Sequence, residues 1–241
     1  LIWIFIDNFS INLISYLLPG IILIFVGLFS ALLFLKAIQQ SDLSLTIPLL
    51  SFSPMFSSIF SFFFLNEQLS KIQYFGVFLI IFGALILYSK KLTLEEFLKS
   101  FKIILKNSSA KLMIIVSIIW SLTPVLDKLC LEHSSINFHG FIQSLGMIIL
   151  LIFLFKKDKV QTLNTKKNWR LILLTVFVGS TATILQFYAI LTNYVPIMES
   201  IKRSVGQLSS VFLGKIFFNE KINKPKVIGV IILSVGVYYI V

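Results

Sequence analysis

The chain has 241 residues, of which 57% are hydrophobic and 13% are charged, and its net charge at pH 7 is +11. Soluble domains carry about 25% charged residues, so this composition excludes an ordinary soluble protein and predicts a membrane protein. The basic residues lie in short connections with no soluble module to form a groove, which argues against nucleic acid as a partner. The single cysteine excludes a disulfide framework, and no Cys/His cluster predicts a metal site or a cofactor.

Eight apolar runs are each about 20 residues long, which is enough to cross the roughly 30 Å hydrocarbon core of a bilayer. The runs show no alternation of apolar and polar residues, so they predict membrane-spanning helices and not barrel strands. In chain order, the predicted spans are 17–38, 46–65, 71–89, 111–131, 137–155, 169–190, 196–218 and 224–241. The predicted fold class is therefore an all-α polytopic membrane protein.

The longest connection between spans, at 90–110, predicts a short amphipathic helix. Thr93 and Glu96 have the spacing of a capping box. Six apolar side chains share one helical face, opposite the lysines: Leu94, Phe97, Leu98, Phe101, Ile104 and Leu105. Such a helix would lie on the anionic cytoplasmic leaflet. A solvated, partly disordered linker is the alternative.

One sequence pattern occurs twice along the chain, and its two copies share a Phe-x-Asn-Glu turn, a lysine and two glycines. In the first copy these residues are Phe64-Leu65-Asn66-Glu67, Lys71, Gly76 and Gly83. In the second copy they are Phe217-Phe218-Asn219-Glu220, Lys224, Gly229 and Gly236. An internal repeat in a membrane protein is typical of transporters, in which two halves surround a central site.

Other residues near the repeated turn have structural interpretations. A ladder of small residues precedes it, with Ser53, Ser57 and Ser61 matched by Gly206, Ser210 and Gly214. We interpret this ladder as a packing seam between helices. Glu67 and Glu220 are interpreted as structural residues of tight turns, and Ser70 and Asn223 as helix N-caps.

The repeat divides the chain into a first repeat at 1–89, a linker at 90–110 and a second repeat at 111–241. The second repeat has five predicted spans, and by the repeat spacing the first would begin about 40 residues before Leu1. We therefore expect a ten-helix transporter fold made of two five-helix repeats, with about eight spans here and the N-terminal ones missing. A natural eight-helix protein is the alternative.

An odd number of spans per repeat requires the two repeats to have opposite, inverted orientations in the membrane. Lysine and arginine concentrate on the side that holds the connections 39–45, 90–110, 156–168 and 219–226. The positive-inside rule places that side in the cytoplasm, so Val241 is expected outside. Usage rich in Lys, Ile, Phe and Asn is typical of an AT-rich bacterial genome, which predicts a bacterial cytoplasmic membrane.

Charged side chains inside the hydrocarbon are the strongest functional candidates, because each costs a few kcal/mol unless it is paired or hydrated. The outstanding set is Glu199, Lys202 and Arg203 in the seventh span, where one acid and two cations leave a net charge of +1. Gln207 lies one turn beyond Arg203 on the same face. This pattern predicts an anion-binding site, with snorkelling of both cations to the membrane surface as the alternative.

Weaker candidates lie near the end of the fourth span and beyond it. Asp127 and Lys128 are either an ion-coupling or gating pair or self-neutralising surface charges. His133 and His139 have no ligand-spaced partner and are expected to be solvated near the membrane surface. Three polar side chains on otherwise apolar helices either line a cavity for substrate or form interhelical hydrogen bonds: Gln143, Gln186 and Tyr188.

The twice-repeated order of a small-residue span, a Phe-x-Asn-Glu turn and Gly-x6-Gly resembles the EamA-type family of the drug/metabolite transporter superfamily, over residues 17–89 and 111–241. The resemblance implies an inverted-repeat transporter fold and leaves the substrate open. Lys202-Arg203 is also similar to the Lys-Arg pair with which the sugar-phosphate translocator branch holds substrate phosphate in its penultimate helix. The resemblance thus implies a phosphate-binding role for this pair.

The sequence predicts a secondary transporter of small metabolites, anionic or phosphorylated ones, that works by alternating access. No GxSxG, Walker or HExxH motif occurs in it, so we expect no enzyme activity. Two alternatives stay open: an exporter of amino acids or amphipathic compounds on the same fold, and a non-transporting membrane scaffold or lipid-flipping subunit. The expected partners are a small-molecule substrate and the lipid bilayer, with a homodimer as a candidate assembly.

Overall fold

The computed structural model describes residues 11–40, 47–87, 89, 108–155, 165–218 and 222–241. Three features of the sequence lie outside the described residues: the apolar start of the chain, Glu220, and positions 90–107 of the predicted amphipathic helix.

Among the described residues, eight α-helices follow one another along the chain, and each overlaps one predicted span. They are α1 (Leu13–Gln39), α2 (Ser53–Leu65), α3 (Lys71–Leu87), α4 (Ser108–Leu131), α5 (Ile136–Leu154), α6 (Thr165–Thr192), α7 (Val195–Phe218) and α8 (Lys224–Ile240). A 3-10 helix at Ile47–Phe52 leads into α2. The prediction of an all-α fold is confirmed.

By length and composition, four helices of the described part are able to cross a membrane: α1, α4, α5 and the Asn168–Thr192 part of α6. Two shorter apolar helices occupy Leu49–Leu65 and Lys71–Leu87. In α6, only 6% of the most apolar stretch is buried. An apolar surface of this extent is more favourable in hydrocarbon than in water. Every predicted span thus overlaps a helix of the described part, although length and composition alone identify four of these helices as able to cross a membrane.

Short polar motifs set the ends of several helices. Ser70 and Gln73 form a capping box at the start of α3, because the Gln73 N–H donates to Ser70 Oγ (3.3 Å) and the Ser70 N–H donates to Gln73 Oε1 (2.9 Å). Asn223 Oδ1 accepts from the N–H of Lys226 at the start of α8 (3.0 Å). Both predicted N-caps are confirmed. Helix α2 ends at Leu65, and its C-cap residue Asn66 has a left-handed φ of 54°, a conformation that Asn tolerates better than most residues.

The described residues form two compact units, and each unit draws on both predicted repeats. Unit 1 combines the described part of Leu1–Leu28 with Leu126–Asn193. Unit 2 combines the described parts of Phe29–Val125 and Tyr194–Val241. Unit 1 therefore holds the first part of α1, the end of α4, and all of α5 and α6. Unit 2 holds the remainder, including α7.

Helices α3 and α8, the last helices of the two predicted repeats, pack backbone against backbone in unit 2. A Cβ on Gly76 would lie 2.8 Å from the carbonyl oxygen of Gly236, and a Cβ on Gly83 would lie 3.0 Å from the carbonyl oxygen of Gly229. The start of α3 thus meets the end of α8, so the two helices are antiparallel. Because Gly76 and Gly83 are the repeat equivalents of Gly229 and Gly236, this antiparallel pairing is what inverted repeats require.

Candidate functional site

Glu199 is the centre of a charge cluster in unit 2. It lies one turn into α7, and its side chain is fully buried. The ammonium of Lys202 donates to Glu199 Oε1. Arg203 Nε lies 3.5 Å from Glu199 Oε2, and the Ser53 hydroxyl of α2 donates to the same oxygen (2.9 Å). The buried carboxylate therefore has two cationic partners and one neutral donor, which offsets the cost of removing its charge from water.

Arg203 is held in place through one edge of its guanidinium. Its Nε donates to Ser53 Oγ (3.2 Å), and its Cζ lies 5.7 Å from the centroid of the Trp120 ring of α4, in cation–π range. No described residue accepts a hydrogen bond from Nη1 or Nη2 of Arg203. The side chain is 17% exposed. The guanidinium is therefore oriented by the protein while its terminal nitrogens keep donors for a ligand.

Lys202 lies beside Arg203 in the chain but in a more open place. Its side chain is 39% exposed, against 0% for that of Glu199. Glu199 pairs with both cations, and the three side chains of Glu199, Lys202 and Arg203 together carry a net charge of +1. An anion that approached Lys202 and Arg203 would bring this cluster to neutrality.

Gln207 extends the cluster by one turn along α7. It is buried, and its Nε2 donates to the hydroxyl of Ser51, just before α2. Glu199, Lys202, Arg203 and Gln207 thus lie in one unit and along one helix, as the spacing predicted. The assignment of these residues to substrate binding stays a prediction.

The serine ladder of α2 has mixed roles. Ser57 donates to the carbonyl of Pro54 in its own helix (3.0 Å), and the buried hydroxyl of Ser61 has no hydrogen-bond partner among the described residues. Both fit a packing seam. Ser53 differs, because its hydroxyl joins Glu199 to Arg203.

A second polar group lies in unit 1 and contains two of the weaker candidates. His139 Nε2 is 3.0 Å from Asp127 Oδ1, and His139 Nδ1 is 3.0 Å from the hydroxyl of Tyr16. Gln143 Nε2 donates to the Tyr16 hydroxyl (3.4 Å) and to the carbonyl of Gly20 (3.2 Å). The prediction that His139 is solvated was wrong, because its side chain is fully buried. His133 is half-buried.

The remaining candidates of unit 1 are Lys128, Gln186 and Tyr188. Lys128 Nζ donates to the carbonyl of Asn193 (2.9 Å), at the end of α6. Gln186 is half-buried, and Tyr188 is exposed. Of the pair Asp127 and Lys128, the structure thus directs the carboxylate to His139 and the ammonium to a helix end, where a cation is favourable.

Sequence reasoning missed five side-chain partners of these groups: Tyr16, Ser51, Ser53, Trp120 and His139. Each reaches its partner from another helix, so no spacing within one helix could reveal it. The one available signal was that Ser53 stands opposite Gly206 in the repeat, which makes this a position where the two copies differ in chemistry. Among the described residues, no group of three or more His, Cys, Asp or Glu side chains is arranged to hold a metal ion.

Apolar helices, an inverted repeat and a charged cluster within a helix define a polytopic membrane protein of the transporter class. A family model of the EamA-like transporter family matches residues 1–89 and 107–241, nearly the whole chain, so the chain belongs to that family, which is part of the drug/metabolite transporter superfamily. Its function is accordingly that of a membrane transporter of small molecules. No curated protein matches the chain.

Proposed function

We propose that the protein is a secondary transporter of small anionic metabolites, phosphorylated ones included, and that it works by alternating access in a bacterial cytoplasmic membrane. The observation that supports this proposal is the state of Arg203. Its Nε is fixed by Ser53 and Glu199, while no described residue accepts from its terminal nitrogens. A guanidinium presented in this way matches the paired oxygens of a phosphate or carboxylate.

The charge of the cluster favours an anion over a neutral ligand. Two cations and one acid leave a net charge of +1 within α7, a helix that we propose crosses the membrane. Binding of a monoanion would cancel this charge, and the gain is larger in a poorly hydrated site than in water. The more exposed Lys202 would meet the anion first, and Arg203 would fix its orientation.

Glu199 supports the same proposal through its own contacts. The alternative of an amino-acid exporter would use Glu199 to hold the ammonium of the substrate. That carboxylate already accepts from Lys202 and Ser53 and pairs with Arg203, so a substrate ammonium would have to displace one of them. We therefore assign Glu199 the role of orienting Arg203, not that of binding substrate directly.

Ligand-dependent thermal stabilisation tests the proposal in purified protein. The panel contains inorganic phosphate, glucose 6-phosphate, succinate and leucine. A ligand at 100 times its Kd stabilises the folded state by about 2.7 kcal/mol, which is readily seen as a rise in Tm. We expect the anions to raise Tm and leucine to leave it unchanged.

Matched variants show which residues are needed for the stabilisation by anions. Arg203→Gln and Lys202→Gln should abolish the stabilisation by anions, whereas Lys215→Gln removes an exposed cation from the last turn of the same helix and should preserve it. Because Arg203→Gln leaves Glu199 with one cationic partner fewer, the double variant Glu199→Gln/Arg203→Gln controls for misfolding. Stabilisation by leucine alone would favour the amino-acid exporter. Stabilisation by none of the four ligands, together with a partner that survives detergent purification, would favour the scaffold.

A further inference from the structure

Three titratable side chains from three helices form a buried hydrogen-bonded chain in unit 1. Tyr16 of α1, His139 of α5 and Asp127 of α4 are joined by two contacts of 3.0 Å, with the imidazole between the phenol and the carboxylate. The ring of His139 is fully buried, and the side chain of Asp127 is 11% exposed. The charge cluster of Glu199, Lys202 and Arg203 in α7 includes none of these residues.

The contacts fix the proton positions of the neutral ring. An ionised Asp127 only accepts hydrogen bonds, so His139 Nε2 must carry the hydrogen that it donates to Oδ1. Nδ1 is then the acceptor, and the Tyr16 hydroxyl donates to it. This leaves Nδ1 as the one ring position that can take up a further proton.

We propose that His139, with Asp127 and Tyr16, is the proton-binding site that couples transport to a proton gradient. The inference rests on the proposed transport function and adds the ion that drives it. Histidine is the side chain whose ordinary titration lies in the physiological range, and buried ionisable residues within membrane helices are typical of proton pathways. The Asp127–His139 pair carries one negative charge with a neutral ring and no net charge once Nδ1 is protonated.

The contacts of the His139 ring come from α1, α4 and α6. From α4 comes Asp127, and the other ionisable side chains near it in the chain are Lys128, whose ammonium donates to the carbonyl of Asn193, and Cys130, whose thiol is buried. From α6 comes the ring of Phe187, 4.9 Å from the imidazole centroid and edge-on to it. Tyr16 and Asp127 are thus the groups that exchange hydrogen bonds with the ring, and a proton on Nδ1 acts first on Tyr16.

Protonation changes the link between α1 and α5. Once Nδ1 carries a hydrogen, the Tyr16 oxygen must accept from it, and the Tyr16 hydroxyl hydrogen loses its acceptor. The same oxygen also accepts from Gln143, which in addition holds the carbonyl of Gly20 in α1. One proton therefore reverses a hydrogen bond at the contact of two helices, which is the kind of local change that can bias two conformations.

Nitrogen NMR tests proton binding without any substrate. The chain has two histidines, so His133→Gln protein with ¹⁵N-labelled imidazole reports on His139 alone. We expect the neutral ring to be the Nε2–H tautomer and Nδ1 to take up a proton within the pH range where the protein stays folded. A ring that stays neutral throughout that range would overturn the proposal, and the group would then be a structural hydrogen-bond network.

Transport measurements test coupling. Proteoliposomes that contain a pH-sensitive dye receive inorganic phosphate or glucose 6-phosphate from outside. Wild-type protein and His133→Gln should move protons together with the anion. His139→Gln should keep anion exchange across the membrane at zero pH gradient and lose the proton movement. Tyr16→Phe, which keeps the ring and removes the hydroxyl, serves as a second variant should His139→Gln fail to fold, and it should weaken coupling without abolishing exchange.

The two experiments separate the proposals. Proton movement that persists unchanged in both His139→Gln and Tyr16→Phe would overturn the coupling role. If neither anion is exchanged by the wild-type protein, the proposed anion specificity fails, and the NMR titration still decides whether His139 binds a proton.

Discussion

Gly76 packs against Gly236 so closely that a Cβ on Gly76 would lie 2.8 Å from the carbonyl oxygen of Gly236. The contact joins the first part of α3 to the last part of α8. Its repeat-related counterpart is the contact of Gly83 with Gly229. Two equivalent contacts on antiparallel helices define a local two-fold relationship, so these glycines hold together the final helices of the two inverted repeats.

Gly83→Ala should destabilise the protein by about 1–3 kcal/mol, the usual cost of overpacking a close contact. The added Cβ would lie 2.8 Å from the backbone nitrogen of Leu233, and backbone cannot move aside as a flexible side chain does. Thermal unfolding in detergent measures the change. Gly179→Ala is the matched control, because nothing lies within 4 Å of its added Cβ. That variant should be as stable as wild type or more so, since Ala favours helix over Gly by about 1 kcal/mol. Equal loss of stability in both variants would contradict the close-packing account.

Much of the fold could be predicted from the sequence, because helix position in a membrane protein follows from apolar length and the repeat reveals its symmetry. Ser70 and Asn223 could be identified as caps since a cap acts within its own turn. The surroundings of His139 could not be identified. Its partners Asp127 and Tyr16 lie on other helices, and only the packing of three helices brings them together. Contacts within α7, such as that of Lys202 with Glu199, could be predicted because both residues lie on the same helix, three positions apart.

Glu67 closes the N-terminus of α7, the helix that carries the charge cluster. The N–H of Val195 donates to Glu67 Oε2 (2.8 Å), and Glu67 is buried. Removal of this acceptor by Glu67→Ala should cost about 1–2 kcal/mol of stability, as for other helix caps. Glu67→Gln keeps an acceptor oxygen and should lose less. Gln68→Ala alters the exposed neighbour as a control. Wild-type stability in Glu67→Ala would show that the cap contributes nothing.

Ser53→Ala removes the hydroxyl that joins Glu199 to Arg203. Because Arg203 would lose one of the two contacts that fix its Nε, we expect weaker binding of the stabilising anion, by about 2- to 12-fold for one hydrogen bond of ordinary strength. Anion titration followed by Tm measures the apparent Kd. Ser57→Ala is matched in size and burial, and its hydroxyl contacts only its own helix. An affinity unchanged in Ser53→Ala, or lowered equally in Ser57→Ala, would rule out a positioning role for Ser53.

Trp120→Leu tests the second support of Arg203. The guanidinium lies over the Trp120 ring, and a cation–π contact is worth about 0.5–2 kcal/mol, so anion affinity should fall by about 2- to 30-fold. Trp120→Phe keeps an aromatic face and should lose less. Trp120 also packs on Phe34, with ring centroids 4.9 Å apart, so loss of packing must be separated from loss of the cation–π contact. Phe34→Leu disturbs the packing and leaves the ring under Arg203. If Phe34→Leu lowers Tm without weakening anion binding, the effect of Trp120→Leu on affinity arises from the cation–π contact. If both variants lose affinity equally, the effect of Trp120→Leu arises from lost packing.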